Sequence, residues 1–344
     1  MAEKGLGSSM RLLQLRGLRP SLGHVRFLAP ALMALALLLS ACGGNVTTGT
    51  GGSTPGAVVI GNRGTLLPGV LSWGEDSTGG MPYIVPGDAS NPGVQYYGFE
   101  VDIANAMTKL MGLANQPSQI TYSNWPQGLQ SQQFDMFMNG LEITPENAKS
   151  ATFSIPYYVY TQSIVVLSTN TTINSFADLA GKNVETGTSY KAEFIMQDFN
   201  KNASNKINIF TTDNPTPFAD LLSGRVDAMF IDTPIAEWYG AHDPSGKFKT
   251  AGPPIDPGYY GVAFSPTNPN TPVLKKEINA AIAQMWLDGT LKKIYQDGGA
   301  FNTNANNQPV AQKYDMWTDS EPCIGNFLPT NPTHVANCPP LTPS

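Results

Sequence analysis

WPQGLQSQQFDMFMNGLEITPENAKSATFSIPYY, Trp125 to Tyr158, holds the pattern that decides the fold. PQGLQSQQ predicts a short helix and FDMFMNGL (134–141) a buried strand. The following NGLEITPENAK (Asn139–Lys149) predicts a helix start, with Thr144 as N-cap, Pro145 at the first helical position and Asn147 at the third. A helix mouth opening on a cleft suits an anion, yet Glu142 stands just ahead of it and no Arg or Lys precedes Lys149. Outward from this stretch the same alternation continues. Strands are expected at GVLSWG (69–74), QITY (119–122), TQSIVVLS (161–168), KNVETG (182–187), KINIFTT (206–212), VDAMFIDT (226–233) and YYGVAFS (259–265). Helices are expected at EVDIANAMTKLMG (100–112), SFADLAG (175–181), SYKAEFIMQDFNKN (189–202), PFADLLSG (217–224), PVLKKEINAAIAQMWLDG (272–289) and TLKKIYQ (290–296). Alternating apolar runs and amphipathic stretches make this an α/β chain.

The ends of the chain carry other signals. Residues 1–41 hold five basic residues against Glu3 alone, followed by the apolar run FLAPALMALALLLSAC, Phe27 to Cys42. That run is short for a membrane span and has the layout of an export signal. Leu39-Ser40-Ala41-Cys42 resembles a bacterial lipobox, which implies lipid on Cys42, with an uncleaved anchor or a buried helix as the other reading. Residues 42–65, rich in Gly, Thr and Ser, are expected to be a flexible tether. Removing five basic and one acidic residue from totals of 20 and 26 leaves 15 against 25, a net charge of −10. Nucleic acid is a poor partner for so acidic a chain. Cys323 and Cys338 share the Asn- and Pro-rich stretch 301–344, and in an exported protein such a pair most simply forms a disulfide, metal binding being the weaker alternative.

Four blocks resemble one family in order and spacing: GFEVDIANAM (98–107), the stretch 125–158, LLSGRVDAMFIDTPIAEWY (221–239) and LDGTLKKIYQDGG (287–299). They are similar to the extracytoplasmic solute-binding proteins of ABC importers for polar amino acids. The resemblance covers about residues 66–300 and implies a two-lobed periplasmic-binding-protein fold of type II. Two crossing hinge strands, near 161–168 and 259–265, would join lobe 1 (66–162 and 263–300) to lobe 2 (163–262), with ligand in the cleft between. Hinge closure and delivery to a membrane permease follow from the same likeness. It further implies a monomer without cofactor, held by its lipid to the outer face of the cytoplasmic membrane.

The resemblance also assigns residues. Asn147 and Glu142 stand where relatives carry, respectively, a carboxylate-gripping Arg and a nearby hydroxyl. Asn supplies neither the fork nor the charge of Arg. Beyond the leader the chain has only Arg63 and Arg225, neither expected at the cleft. Gly140 belongs to the same loop. Asp232 matches the acceptor of the ligand ammonium, or else caps the helix at Pro234. Asp76 matches a first-loop Asp or is a plain turn residue, and Tyr83 and Trp125 are candidates for aromatic platforms, Trp125 otherwise being core. Thr188 and Ser189, in ETGTSY, would assist an anion or simply cap a helix. Glu142 is either a cleft residue, a solvated loop residue or an intraprotein partner of Lys149. Glu142, Asp232, Asp76 and Trp125 together suit a positively charged ligand.

Two other functions compete on this fold. One is a cyclohexadienyl-dehydratase-like enzyme, whose carboxylate substrates need a cationic anchor; the other is a sensing subunit. The histidines, His24, His242 and His334, lie in the leader, a turn and the tail, so neither a His-based triad nor a metal cluster is expected.

Overall fold

The chain passes twice between two sheets, and the two crossings pair with each other. The computed structural model describes residues 63–341 except 91, 214–217, 243–244, 298–301, 304–305, 307–308, 311–313, 315, 317–320 and 330–334. Cys42, the leader and most of the tether lie outside the described residues. Among the described residues no helix is long and apolar enough to cross a membrane.

The first sheet grows from β1 (Val70–Glu75), buried along nearly its whole length. A small pair, β2 (Val85–Pro86) and β3 (Tyr96–Tyr97), precedes helix α1 (Phe99–Met111). Gly98 begins that helix at φ 140°, where a Cβ would collide with the Tyr83 carbonyl, and Gly112 ends it in the left-handed region. The next strand, β4 (Ala114–Gln119), runs parallel to β1. It is polar and carries Pro117, which an edge strand tolerates. The expected strand at 119–122 is therefore displaced toward the N-terminus, and Tyr122–Asn124 is a 3-10 turn leading into α2 (Trp125–Gln130). Strands β5 (Met136–Phe137) and β6 (Thr152–Phe153) complete this part of the sheet.

No α-helix follows Thr144, contrary to expectation. Thr144 Oγ1 does accept the N–H of Asn147 at 3.1 Å, but only a 3-10 turn, Asn147–Lys149, forms. The chain then joins β6, whose pairing with a later strand ends the turn. Segment 175–181 likewise makes a 3-10 turn, Phe176–Leu179.

Strand β7 (Tyr158–Leu167) crosses into the second sheet. That sheet takes β8 (Asn183–Gly187), helix α3 (Lys191–Asn202), β9 (Asn208–Thr212), α4 (Ala219–Ser223), β10 (Ala228–Asp232), α5 (Thr233–His242) and β11 (Phe248–Thr250) in a βαβ progression. Its order is β11-β7-β10-β8-β9, with β8 parallel to both β9 and β10. Strand β12 (Ile255–Tyr260) returns antiparallel to β7, with Tyr158 opposite Tyr260 and Tyr160 opposite Gly258. The expected single strand at 259–265 is thus two, because the chain leaves β7 after Tyr260 and enters the first sheet as β13 (Ala263–Phe264) between β5 and β6. Helices α6 (Thr271–Leu287) and α7 (Thr290–Asp297) then pack on α1.

The described part of the tail lies across the crossing strands. Cys323 and Cys338 are disulfide-bonded with their Cα atoms 5.5 Å apart. Ile324 is fully buried against Ile143, Val159 and Tyr259, and Tyr259 donates to the Pro339 carbonyl at 2.8 Å. Further back, Tyr314 donates to Asp102 Oδ2 at 3.0 Å and accepts the N–H of Gly98.

Candidate functional site

Where the two sheets meet at β7 and β12, acidic and aromatic side chains close over one another. Tyr83, Tyr122, Glu142, Tyr160, Tyr190, Asp232 and Tyr260 are all at most 8% exposed. Backbone pairing aims them. The N–H of Ile143 donates to the Tyr259 carbonyl at 2.8 Å and that of Gly261 to the Leu141 carbonyl at 3.1 Å, so the loop after β5 is fixed along β12. Glu142 lies opposite Tyr260 in that pairing. Gly140, at φ 62°, makes the required turn beside the Tyr83 ring, and its N–H is held by Glu100 at 2.7 Å.

Glu142 links the two sheets. Its Oε1 accepts the backbone N–H of Lys191, in the first turn of α3, at 3.0 Å, and its Oε2 accepts the Tyr122 hydroxyl at 3.0 Å. At 1% exposure it is no solvated loop residue. Burial raises its pKa, against the lowering effect of the Lys191 N–H. Asn147 does not face the cluster with its amide: Nδ2 donates to the Glu142 carbonyl at 2.8 Å and so locks the loop.

Asp232 ends β10 and faces β7. Gln162 Nε2 donates to its Oδ1 at 2.6 Å, and the Tyr260 hydroxyl donates to its Oδ2. Tyr260 and Tyr83 bring their hydroxyls to 2.6 Å. Burial, then the charge of Glu142, holds the Asp232 carboxyl well above its ordinary range. The Tyr160 ring stacks on Tyr260 at 4.6 Å. Lys191 Nζ lies 6.0 Å from the Tyr160 ring centre and pairs with Asp256 at 2.7 Å.

Other sequence-derived candidates surround this cluster. Asp76 Oδ2 accepts the Tyr122 N–H at 2.7 Å, while Oδ1 takes Thr78 and Gln119, so it shapes its own loop. Trp125 is buried and stacked on Phe137, at 5.9 Å. Thr188 donates its N–H to the Thr212 carbonyl at 3.0 Å, and Ser189, at φ 66°, donates its own to Glu193 at 2.8 Å. Arg63 and Arg225 are paired with Glu277 and Asp220, away from the cluster. No group of three or more His, Cys, Asp or Glu among the described residues could hold a metal ion.

Sequence reasoning passed over Tyr122, Tyr160, Gln162, Tyr190, Lys191 and Tyr260. The period of two on β7 offered a signal, since Tyr158, Tyr160 and Gln162 share a face. Tyr190 and Lys191, directly after Thr188-Ser189, offered another.

Residues 79–297 match the family model of bacterial extracellular solute-binding proteins, family 3. The ABC transporter arginine-binding protein 1 of Escherichia coli K12 is 30% identical over 202 residues, 57% of this chain and 79% of its own. The L-cystine-binding protein TcyJ of the same organism is 29% identical over 236 residues, 67% of this chain and 81% of its own. Among solved structures, an ancestral arginine-binding protein bound to arginine superposes with a TM-score of 0.60 at 31% identity, over 66% of this chain and 96% of that one. The ancestral amino acid-binding protein AncCDT-1, a precursor of cyclohexadienyl dehydratase, superposes with a TM-score of 0.58 at 30% identity, over 66% and 94% of the two chains.

Proposed function

Because the chain belongs to family 3 of the bacterial extracellular solute-binding proteins, we propose that it captures an amino acid or a related amine or cationic solute and delivers it to an ABC permease. Lobe 1 is residues 66–162 and 263–300, lobe 2 is 163–262, and β7 and β12 are the hinge between them. Ligand lies where Tyr83, Glu142, Asp232 and Tyr260 converge, with Asp76, Trp125, Gly140, Asn147, Thr188 and Ser189 shaping the walls. The chain works as a monomer tethered by lipid on Cys42 to the outer face of the cytoplasmic membrane.

The observation that carries this function is the charge of the cluster. Two buried acidic side chains, Glu142 and Asp232, stand among tyrosine rings, and among the described residues the cation beside them, Lys191, is already paired with Asp256. A ligand cation gains from both carboxylates and from the rings. The likeness to AncCDT-1 keeps an enzyme of the cyclohexadienyl dehydratase type as the second candidate. Against it stands the chemistry of its carboxylate substrates, since neither arginine of the described chain reaches the cluster.

Calorimetry with a panel of amino acids and amines tests the assignment. Cationic members should bind and acidic ones should not; tight binding of glutamate or aspartate overturns it. Mass spectrometry of ligand released from gently purified protein identifies the natural solute.

A further inference from the structure

The mouth of helix α3 is occupied from within the chain. The backbone N–H groups at a helix start offer a ready seat for an anion. Here the N–H of Lys191 is held by Glu142, reaching across from the other sheet, and the N–H of Ser189 is held by Glu193. These two donors thus already serve the protein's own carboxylates. Asn147 turns its amide to the loop itself, where Nδ2 donates to the Glu142 carbonyl at 2.8 Å.

Two polar groups nearby are left over. Gln162 Oε1 and the Tyr160 hydroxyl are buried without a hydrogen-bond partner, on the same face of β7 and beside Asp232. A buried polar atom without a partner is costly, and a ligand N–H satisfies it. A carboxylate entering the same space finds the Lys191 N–H already taken by Glu142 and lies beside two acidic side chains, Glu142 and Asp232. An ammonium finds Asp232, the unpartnered Gln162 Oε1 and the tyrosine rings.

We propose that Glu142 is a built-in carboxylate filling the anion seat of helix α3, so that this protein selects amines lacking a carboxylate over the amino acids they derive from. The inference rests on the function proposed above and narrows its ligand class. A ligand of this kind carries one terminal ammonium for Asp232 and a chain that lies along the tyrosines.

Matched pairs test it directly: agmatine against arginine, and cadaverine against lysine, each titrated into the purified protein by calorimetry. The decarboxylated member should bind more tightly by at least about tenfold in both pairs. Glu142→Thr, which vacates the Lys191 N–H, should move both ratios toward the amino acid by about tenfold. Tighter binding of arginine and lysine by the wild-type protein overturns the inference while leaving the solute-binding function in place. Unchanged ratios in a folded Glu142→Thr protein overturn the role of Glu142. If none of the four binds, both the inference and the cationic-ligand function fall. The wild-type comparison decides the matter even where the variant does not fold.

Discussion

Glu142 Oε1 and the backbone N–H of Lys191 meet at 3.0 Å, joining the loop after β5 to the first turn of α3 on the second sheet. A single side chain thereby ties the two layers together within a buried cluster that also holds Asp232. The same contact closes an anion seat and leaves its surroundings negative. Asp232, Tyr260 and Tyr83 continue the link back to the first sheet through successive hydroxyl contacts.

Asp232 is expected to hold a ligand ammonium, whose charge favours the ionised form that burial otherwise disfavours. Asp232→Asn keeps the shape and can still accept from Tyr260, but it loses the charge. Amine affinity should fall by about 100-fold, about 2.7 kcal/mol. The melting temperature of the unliganded protein should not fall, because burial already disfavours the ionised carboxyl. Calorimetry and a thermal melt on one preparation separate the two effects, and unchanged affinity removes Asp232 from the site.

Much of this architecture was legible because it depends on local pattern. The strand–helix alternation and the block GFEVDIANAM need only neighbours in sequence, and Gly98 and Gly112 mark the limits of α1 where a bulkier residue does not fit or is strained. The role of Glu142 was not legible, since its partner is 49 residues away and is a backbone N–H with no side-chain signature. The helix expected after Thr144 had the right cap and proline, yet sheet pairing at Thr152 outcompeted propensity. Gln162 and Tyr160 looked like ordinary strand residues; only the approach of β10 and β12 makes their polar atoms matter.

Gly140 should resist substitution. Its φ of 62° disfavours any side chain, and a Cβ there would lie 2.9 Å from the Tyr83 ring. Gly140→Ala should cost about 1–3 kcal/mol in urea unfolding, and should displace Tyr83 from Tyr260. Loss of ligand affinity beyond the loss of stability is expected too, since the Tyr83–Tyr260–Asp232 chain starts at that ring. An alanine variant as stable as wild type overturns the structural part.

Stability should fall as pH rises through the neutral range. Burial pushes the Asp102 carboxyl up to about 8, against the Tyr314 hydroxyl that favours its ionised form. Burial likewise raises Glu100 to about 7, opposed by Tyr157 and the Gly140 N–H. Both groups bind a proton more tightly folded than unfolded. Their contribution is therefore complete below the unfolded carboxylate range, about pH 4, and is lost as pH rises toward 7 for Glu100 and 8 for Asp102. Melting curves across this range should show the midpoint falling, and Asp102→Asn should flatten the upper part of the slope. A midpoint that rises from pH 6 to 8 contradicts the assignment.

The tail should stabilise the crossing strands through its disulfide. Cys323 and Cys338 are 15 residues apart, and closing a loop of that length stabilises by about 3 kcal/mol in the chain-entropy account. The bridged segment packs Ile324 on Val159 of β7 and Tyr259 of β12, so its loss loosens the strands that join the two sheets. Replacing both cysteines with serine should lower unfolding free energy by that amount. It should also speed amide exchange in β7 and β12 more than in β8 and β9, which the tail does not touch in the hydrophobic cluster around Ile324. Uniform exchange across all four strands would mean that the tail stabilises the chain without acting on the crossing strands.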